Sequence, residues 1–163
     1  MSGASFGLRK RLATGVPLVF PWVGTPGAQL AGQIARVGFD AVALDLQHST
    51  IDMGEAAQMV AAINAVGVPA ILRVRWNDPG IVNSALDMGA ACVIAPMTNT
   101  VAQVQALVKS AKYPTVGQRS WGGWNSWMYR SRLPMTLARR ASEGYPSFTR
   151  SQAPAWERPV WEA

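Results

Sequence analysis

The sequence predicts an α/β fold built on a parallel sheet, and three observations predict it. Short apolar runs of five to eight residues begin at positions 17, 39, 69 and 91. Each is followed by a stretch with the amphipathic spacing of a helix. The runs are apolar nearly throughout rather than alternating, as expected of strands covered on both faces.

Each element follows from local signals. The first run, PLVFPWVG (17–24), precedes a helical stretch near 27–37 with Leu30, Ile34 and Val37 on one face. The second, FDAVALDL (39–46), leads to Asp52, which can cap a helix running through EAAQMVAAINAV to a stop at Gly67. PAILRVR (69–75) is followed by NDPG (77–80), where Asp78 caps a helix and Pro79 takes its first position, one that needs no N–H. ACVIAPM (91–97) leads into the helical TVAQVQALVKSAK (100–112). Composition then changes near residue 120. Five of the seven tryptophans lie in 121–163, in a sequence rich in Arg, Ser and Pro where at most one short helix, near 135–143, is expected.

Composition narrows the function classes. At 163 residues and 49% hydrophobic, the chain is long enough for one domain with a real core. No run reaches the ~20 apolar residues of a membrane span. Arg9, Lys10 and Arg11 precede apolar residues broken by Pro17, Pro21 and Pro26, a poor signal peptide. The single Cys92 excludes an internal disulfide and fits a reducing cytoplasm. The net charge of +6 is spread along the chain, with no basic stripe interleaved with aromatics. Neither nucleic acid nor membrane is therefore expected as a partner.

Ligands of parallel α/β folds sit at the carboxyl ends of the strands. The first strand is expected to end near Trp22 and the second with Asp45, and His48, the only histidine, lies just beyond. His48 reads either as an exposed loop residue or as a general base, since imidazole suits proton transfer near neutral pH. Asp45 is either a turn residue or the partner of His48 or an arginine, because a lone carboxylate in an apolar run is costly. Arg73 and Arg75 are read as facing opposite ways, and the inward one would be a fixed donor for a substrate carboxylate or enolate oxygen. Asp87 is most simply a solvated helix residue, and Cys92 reads as core rather than nucleophile. The spacing predicts a base and an oxyanion partner at the mouth of a parallel sheet.

GFDAVALDLQHSTID, ILRVRWNDPGIVNSALDMGAACVIAPM and YPTVGQRSWGG, in that order and separation, closely resemble the HpcH/HpaI family of aldolases, over about residues 8–124. These are the 4-hydroxy-2-oxoheptanedioate aldolases and their relatives. The resemblance implies a (β/α)8 barrel of the pyruvate/phosphoenolpyruvate type, usually a hexamer. It implies reversible cleavage of 4-hydroxy-2-oxo acids to pyruvate, or a related 2-oxo acid, and an aldehyde. It also implies a class II enzyme using Mg2+, Mn2+ or a similar ion rather than a lysine Schiff base. By resemblance His48 is the general base, Arg73 the stabiliser of the enolate oxygen and Arg75 the outward residue. Asp87 is then the carboxylate that raises the basicity of His48, Asp45 a second carboxylate near it, and Trp22 a pocket residue.

One part of the family pattern has no counterpart. The metal ligands expected in an Ile-Glu-Thr-like strand and a Pro-Ala-Asp-Leu-like loop are missing, since Glu143, Glu157 and Glu162 lack that context and no Asp follows Asp87. The expectation is the first half of a barrel in 1–124 and a divergent, irregular tail in 125–163, from a truncated and frameshifted family member. Four strands cannot close, so association into a homo-oligomer is expected. The alternative is a catalytically inactive α/β module that keeps a 2-oxo-acid pocket or an assembly role. A third reading assigns the basic, Trp-rich tail to structure or nucleic acid.

Overall fold

The computed structural model describes residues 8–120. A helix, α1 (Leu8–Ala13), precedes four βα units. These are β1 (Trp22–Val23) with α2 (Ala28–Ala35), β2 (Val42–Asp45) with α3 (Met53–Ala65), β3 (Ala70–Arg73) with α4 (Pro79–Asp87), and β4 (Cys92–Ile94) with α5 (Val101–Ala111). The strands form one parallel sheet in the order β1-β2-β3-β4. The tail at 125–163, with the helix expected near 135–143, lies outside the described residues.

Strand alternation divides the sheet into two faces. Val42, Leu44, Leu46, Leu72 and Val74 pack with Ala31 and Ala35 of α2, Met59, Val60 and Ile63 of α3, and Ala85 of α4. This is the main core. Ala41, Ala43 and Ile71 form a smaller cluster with Leu8 of α1, flanked by Leu18, Phe20, Cys92 and Ile94. Asp45 and Arg73 continue the second row, two residues beyond Ala43 and Ile71. The smaller cluster leaves the carboxyl end of that row to polar side chains.

Helix starts follow the local signals. Asp52 accepts the N–H of Glu55 at 2.8 Å, and Glu55 accepts the N–H of Asp52 at 3.2 Å, closing a capping box on α3. Asp78 accepts the N–H of Ile81 at 3.0 Å, with Pro79 next. Thr100 and Gln103 make the same reciprocal pair on α5. Gly67 follows α3 with φ +82, a left-handed turn that suits glycine.

Three features depart from the sequence reading. α1 was not predicted; Leu8 fixes it to the sheet, and Arg11 pairs with Asp40, which also accepts the N–H of Val19 at 2.8 Å. The strands are shorter than the apolar runs. Ahead of β1 the prolines at 17 and 21 have no N–H to give, although Ala43 still donates to the Pro21 carbonyl at 2.9 Å. On α2 the predicted apolar face is only partly the buried one, since Ile34 packs against the main core. Leu30 and Val37 are exposed, while Ala31, Gly32 and Ala35 are buried. The reason is close helix packing: a Cβ at Gly32 would lie 3.6 Å from the Ala62 Cβ, so small residues let α2 and α3 approach.

Candidate active site

Asp45 is the last residue of β2 and Arg73 the last of β3, and the two are directly opposite in the sheet. Arg73 Nε donates to Asp45 Oδ1 at 2.9 Å and Arg73 Nη2 donates to Oδ2, a side-on, two-pronged pair. The Asp45 side chain is 13% exposed and that of Arg73 25%, so the pair is shielded without being sealed. Asp45 Oδ1 also accepts the backbone N–H groups of Gln47 at 2.9 Å and His48 at 3.2 Å. The carboxylate that holds the arginine thus folds the loop that carries the histidine.

The electrostatics follow from these contacts. The Arg73 bond holds the Asp45 carboxyl below the usual carboxylate range; burial opposes this, and the N–H groups of His48 and Gln47 add to it. The same bond raises Arg73 further. Across the sheet, the Arg73 Cζ lies 4.9 Å from the centroid of the Trp22 ring, a cation–π contact. Phe20 flanks that ring at 6.4 Å.

Asp45, Arg73 and Trp22 therefore meet, with His48 tied to Asp45 through its backbone. The His48 residue is exposed, and its imidazole takes no hydrogen bond among the described residues. Asp87 is the last residue of α4 and accepts Arg119 Nη2 at 2.7 Å. No hydrogen bond or ion pair links His48 to Asp87 among the described residues. Of the two partners open to Asp45, the structure gives it the arginine. Arg73 and Arg75 do diverge, but not by strand alternation, which puts residues two apart on one face. They part because β3 ends at Arg73; Arg75 is exposed and donates to the Ile51 carbonyl at 3.3 Å.

Residues 19–146 match the family described as HpcH/HpaI aldolase/citrate lyase. The chain belongs to that family. An HpcH/HpaI relative, the hydroxypyruvate/pyruvate aldolase of Rhizorhabdus wittichii, is 42% identical over 108 residues, covering 66% of this chain and 43% of its own. The 4-hydroxy-2-oxo-heptane-1,7-dioate aldolase of Klebsiella pneumoniae is 28% identical over 111 residues, 68% of this chain and 42% of its own. The HpcH/HpaI aldolase of Desulfitobacterium hafniense superposes with a TM-score of 0.69 at 25% identity, covering 83% of this chain and 52% of that one. The chain thus spans less than half the length of these curated relatives, and its fold is that of a partial HpcH/HpaI barrel. The family match runs past residue 124 into the stretch read as a tail.

The metal implied by the HpcH/HpaI resemblance does not fit the residues on hand. No group of three or more His, Cys, Asp or Glu that could hold a metal ion comes together among the described residues. Asp45, the carboxylate nearest His48 in sequence, is engaged by Arg73. No helix among the described residues is long and apolar enough to cross a membrane. Arg119 is the residue that sequence reasoning missed. It lies in the quoted YPTVGQRSWGG motif, but nothing local showed that it reaches 32 residues back to Asp87.

Proposed function

We propose that residues 8–120 supply the proton-transfer and oxyanion half of an aldolase acting on 4-hydroxy-2-oxo acids. The observation that carries this reading is the Arg73–Asp45 pair at the carboxyl ends of β2 and β3, beside the His48 loop. In the cleavage direction a base takes the proton of the C4 hydroxyl and the C3–C4 bond breaks. C4 leaves as an aldehyde, and the bonding electrons pass to the C2 carbonyl oxygen as an enolate. Protonation at C3 then gives pyruvate or a related 2-oxo acid.

His48 is the base in this reading, being exposed and uncommitted by its imidazole. Arg73 stabilises the enolate oxygen with the N–H groups it does not give to Asp45, and the Asp45 bonds hold it fixed. Trp22 walls the pocket. Asp87 is assigned to tuning His48 by resemblance alone. No step assigned to these side chains runs through a metal. We also infer a homo-oligomer, since β1 and β4 are both edges of the described sheet, and a cytoplasmic setting from the single free thiol.

The test is release of pyruvate from 4-hydroxy-2-oxoheptanedioate, with Mg2+ or Mn2+ present, read through lactate dehydrogenase and NADH. Loss of a general base costs about 10²- to 10⁴-fold, so His48→Ala should fall by at least about 100-fold. Equal release by parent and His48→Ala would remove His48 from this role. A second reading, a module that binds a 2-oxo acid without turning it over, is favoured by the missing metal cluster among the described residues. Folded protein that binds pyruvate yet releases none from the substrate would support it.

A further inference from the structure

The three side chains that meet on the open face come from three different strands. Trp22 on β1 is opposite Ala43 on β2, Asp45 lies two residues beyond Ala43 on the same face, and Arg73 on β3 is opposite Asp45. The Arg73 guanidinium must cross β2 to reach the indole. Two strand spacings are roughly 10 Å, which only a long side chain spans. Ala43, fully buried and ending in a methyl group, leaves room on the crossed strand.

The two contacts on the guanidinium differ in kind. Asp45 takes one edge through Nε and Nη2, which fixes the group within its plane. Trp22 takes the face, with Cζ 4.9 Å from the ring centroid, which fixes the tilt of that plane. With edge and face both held, Nη1 is the terminal nitrogen that donates to no group among the described residues. Trp22 itself contributes little to the core: its ring is half exposed, and the neighbouring Val23 is the buried residue of β1. Arg75, only two residues on, has no ring beneath it among the described residues and rests on a carbonyl instead.

We propose that Trp22 is a positioning residue for Arg73, holding the guanidinium side-on against Asp45 and keeping Nη1 for a substrate oxyanion. The oxyanion is taken from the aldolase reading; the placement of the guanidinium does not depend on it. Trp22 acts through Arg73 rather than on the reacting atoms.

The experiment compares Trp22→Leu and Trp22→Phe with the parent, each as the full chain, with the backbone amide spectrum confirming the fold. Leucine keeps bulk but loses the aromatic face, whereas phenylalanine keeps a face. Two NMR signals read the clamp: exchange of the Arg73 Nε–H with water and titration of the Asp45 carboxyl. In Trp22→Leu the exchange should quicken by roughly two- to fivefold, the worth of one exposed cation–π contact, and the Asp45 titration should move up. Trp22→Phe should stay near the parent in both. Unchanged signals in Trp22→Leu, or a shift in Trp22→Phe as large as in Trp22→Leu, would overturn the proposal. Deuterium uptake at the pyruvate methyl group, followed on the same samples, should fall in kcat with KM little changed in Trp22→Leu. If the parent shows no uptake, the aldolase reading fails while the NMR signals still decide the clamp.

Discussion

Arg73 sends two hydrogen bonds to Asp45, and this gives stability a signed dependence on pH. The Asp45 carboxyl sits below its unfolded value of about 3.9, so its contribution is complete above that value and is lost as pH falls through the folded one. Asp45→Asn should therefore cost about 1–3 kcal/mol at pH 7, as for a hydrogen bond to a charged group. In urea titrations the gap to the parent should narrow below about pH 4, as the parent's carboxyl is protonated. A gap constant from pH 7 to pH 3 would contradict the pairing. Cys92 gives a second check, because burial raises its thiol. Iodoacetamide at pH 7.5 should label it slowly in native protein and quickly in urea, and equal rates would place it at the surface. At this scale the sequence disclosed that a residue needs a partner more readily than which partner it takes. Physical cost showed that Asp45 needed a partner, but the choice of Arg73 depends on the register between β2 and β3. The Arg119–Asp87 contact depends on chain folding over 32 residues, which no local pattern carries.

The starts of α3 and α4 were legible because capping is chemistry within four residues. Asp52, Asp78 and Thr100 each bond the N–H three positions on. Asp52→Ala or Thr100→Ala should each cost about 1 kcal/mol, measurable by thermal or urea unfolding, with no change at the active site. The buried face of α2 was only partly legible. Periodicity favours the bulky Leu30, Ile34 and Val37, of which Ile34 packs against the core, whereas the approach to α3 is made by Gly32 against Ala62. Gly32→Leu tests this: overpacking at such a contact should cost about 1–3 kcal/mol, and a neutral result would contradict the close approach. α1 is six residues long and gains its place from Leu8 and the Arg11–Asp40 pair, both made across the fold.

For the molecule as a whole, the parallel order β1-β2-β3-β4 brings side chains of three strands together, where Trp22, Asp45 and Arg73 meet and the His48 loop begins. The α/β class was legible because apolar runs alternating with capped helices admit few other arrangements. The main core, centred on Leu44, Leu72 and Met59, holds that geometry, and Leu44→Ala should cost about 2–5 kcal/mol. In the proposed function this side of the sheet moves a proton next to a 2-oxo acid. Deuterium uptake into the pyruvate methyl group, followed by NMR in D2O with and without Mg2+ or Mn2+, tests it most directly, since enolisation needs no aldehyde. The parent chain should show uptake that is lost in both His48→Ala and Arg73→Ala. Folded, soluble protein that shows no uptake, or uptake that persists undiminished in His48→Ala, would contradict it.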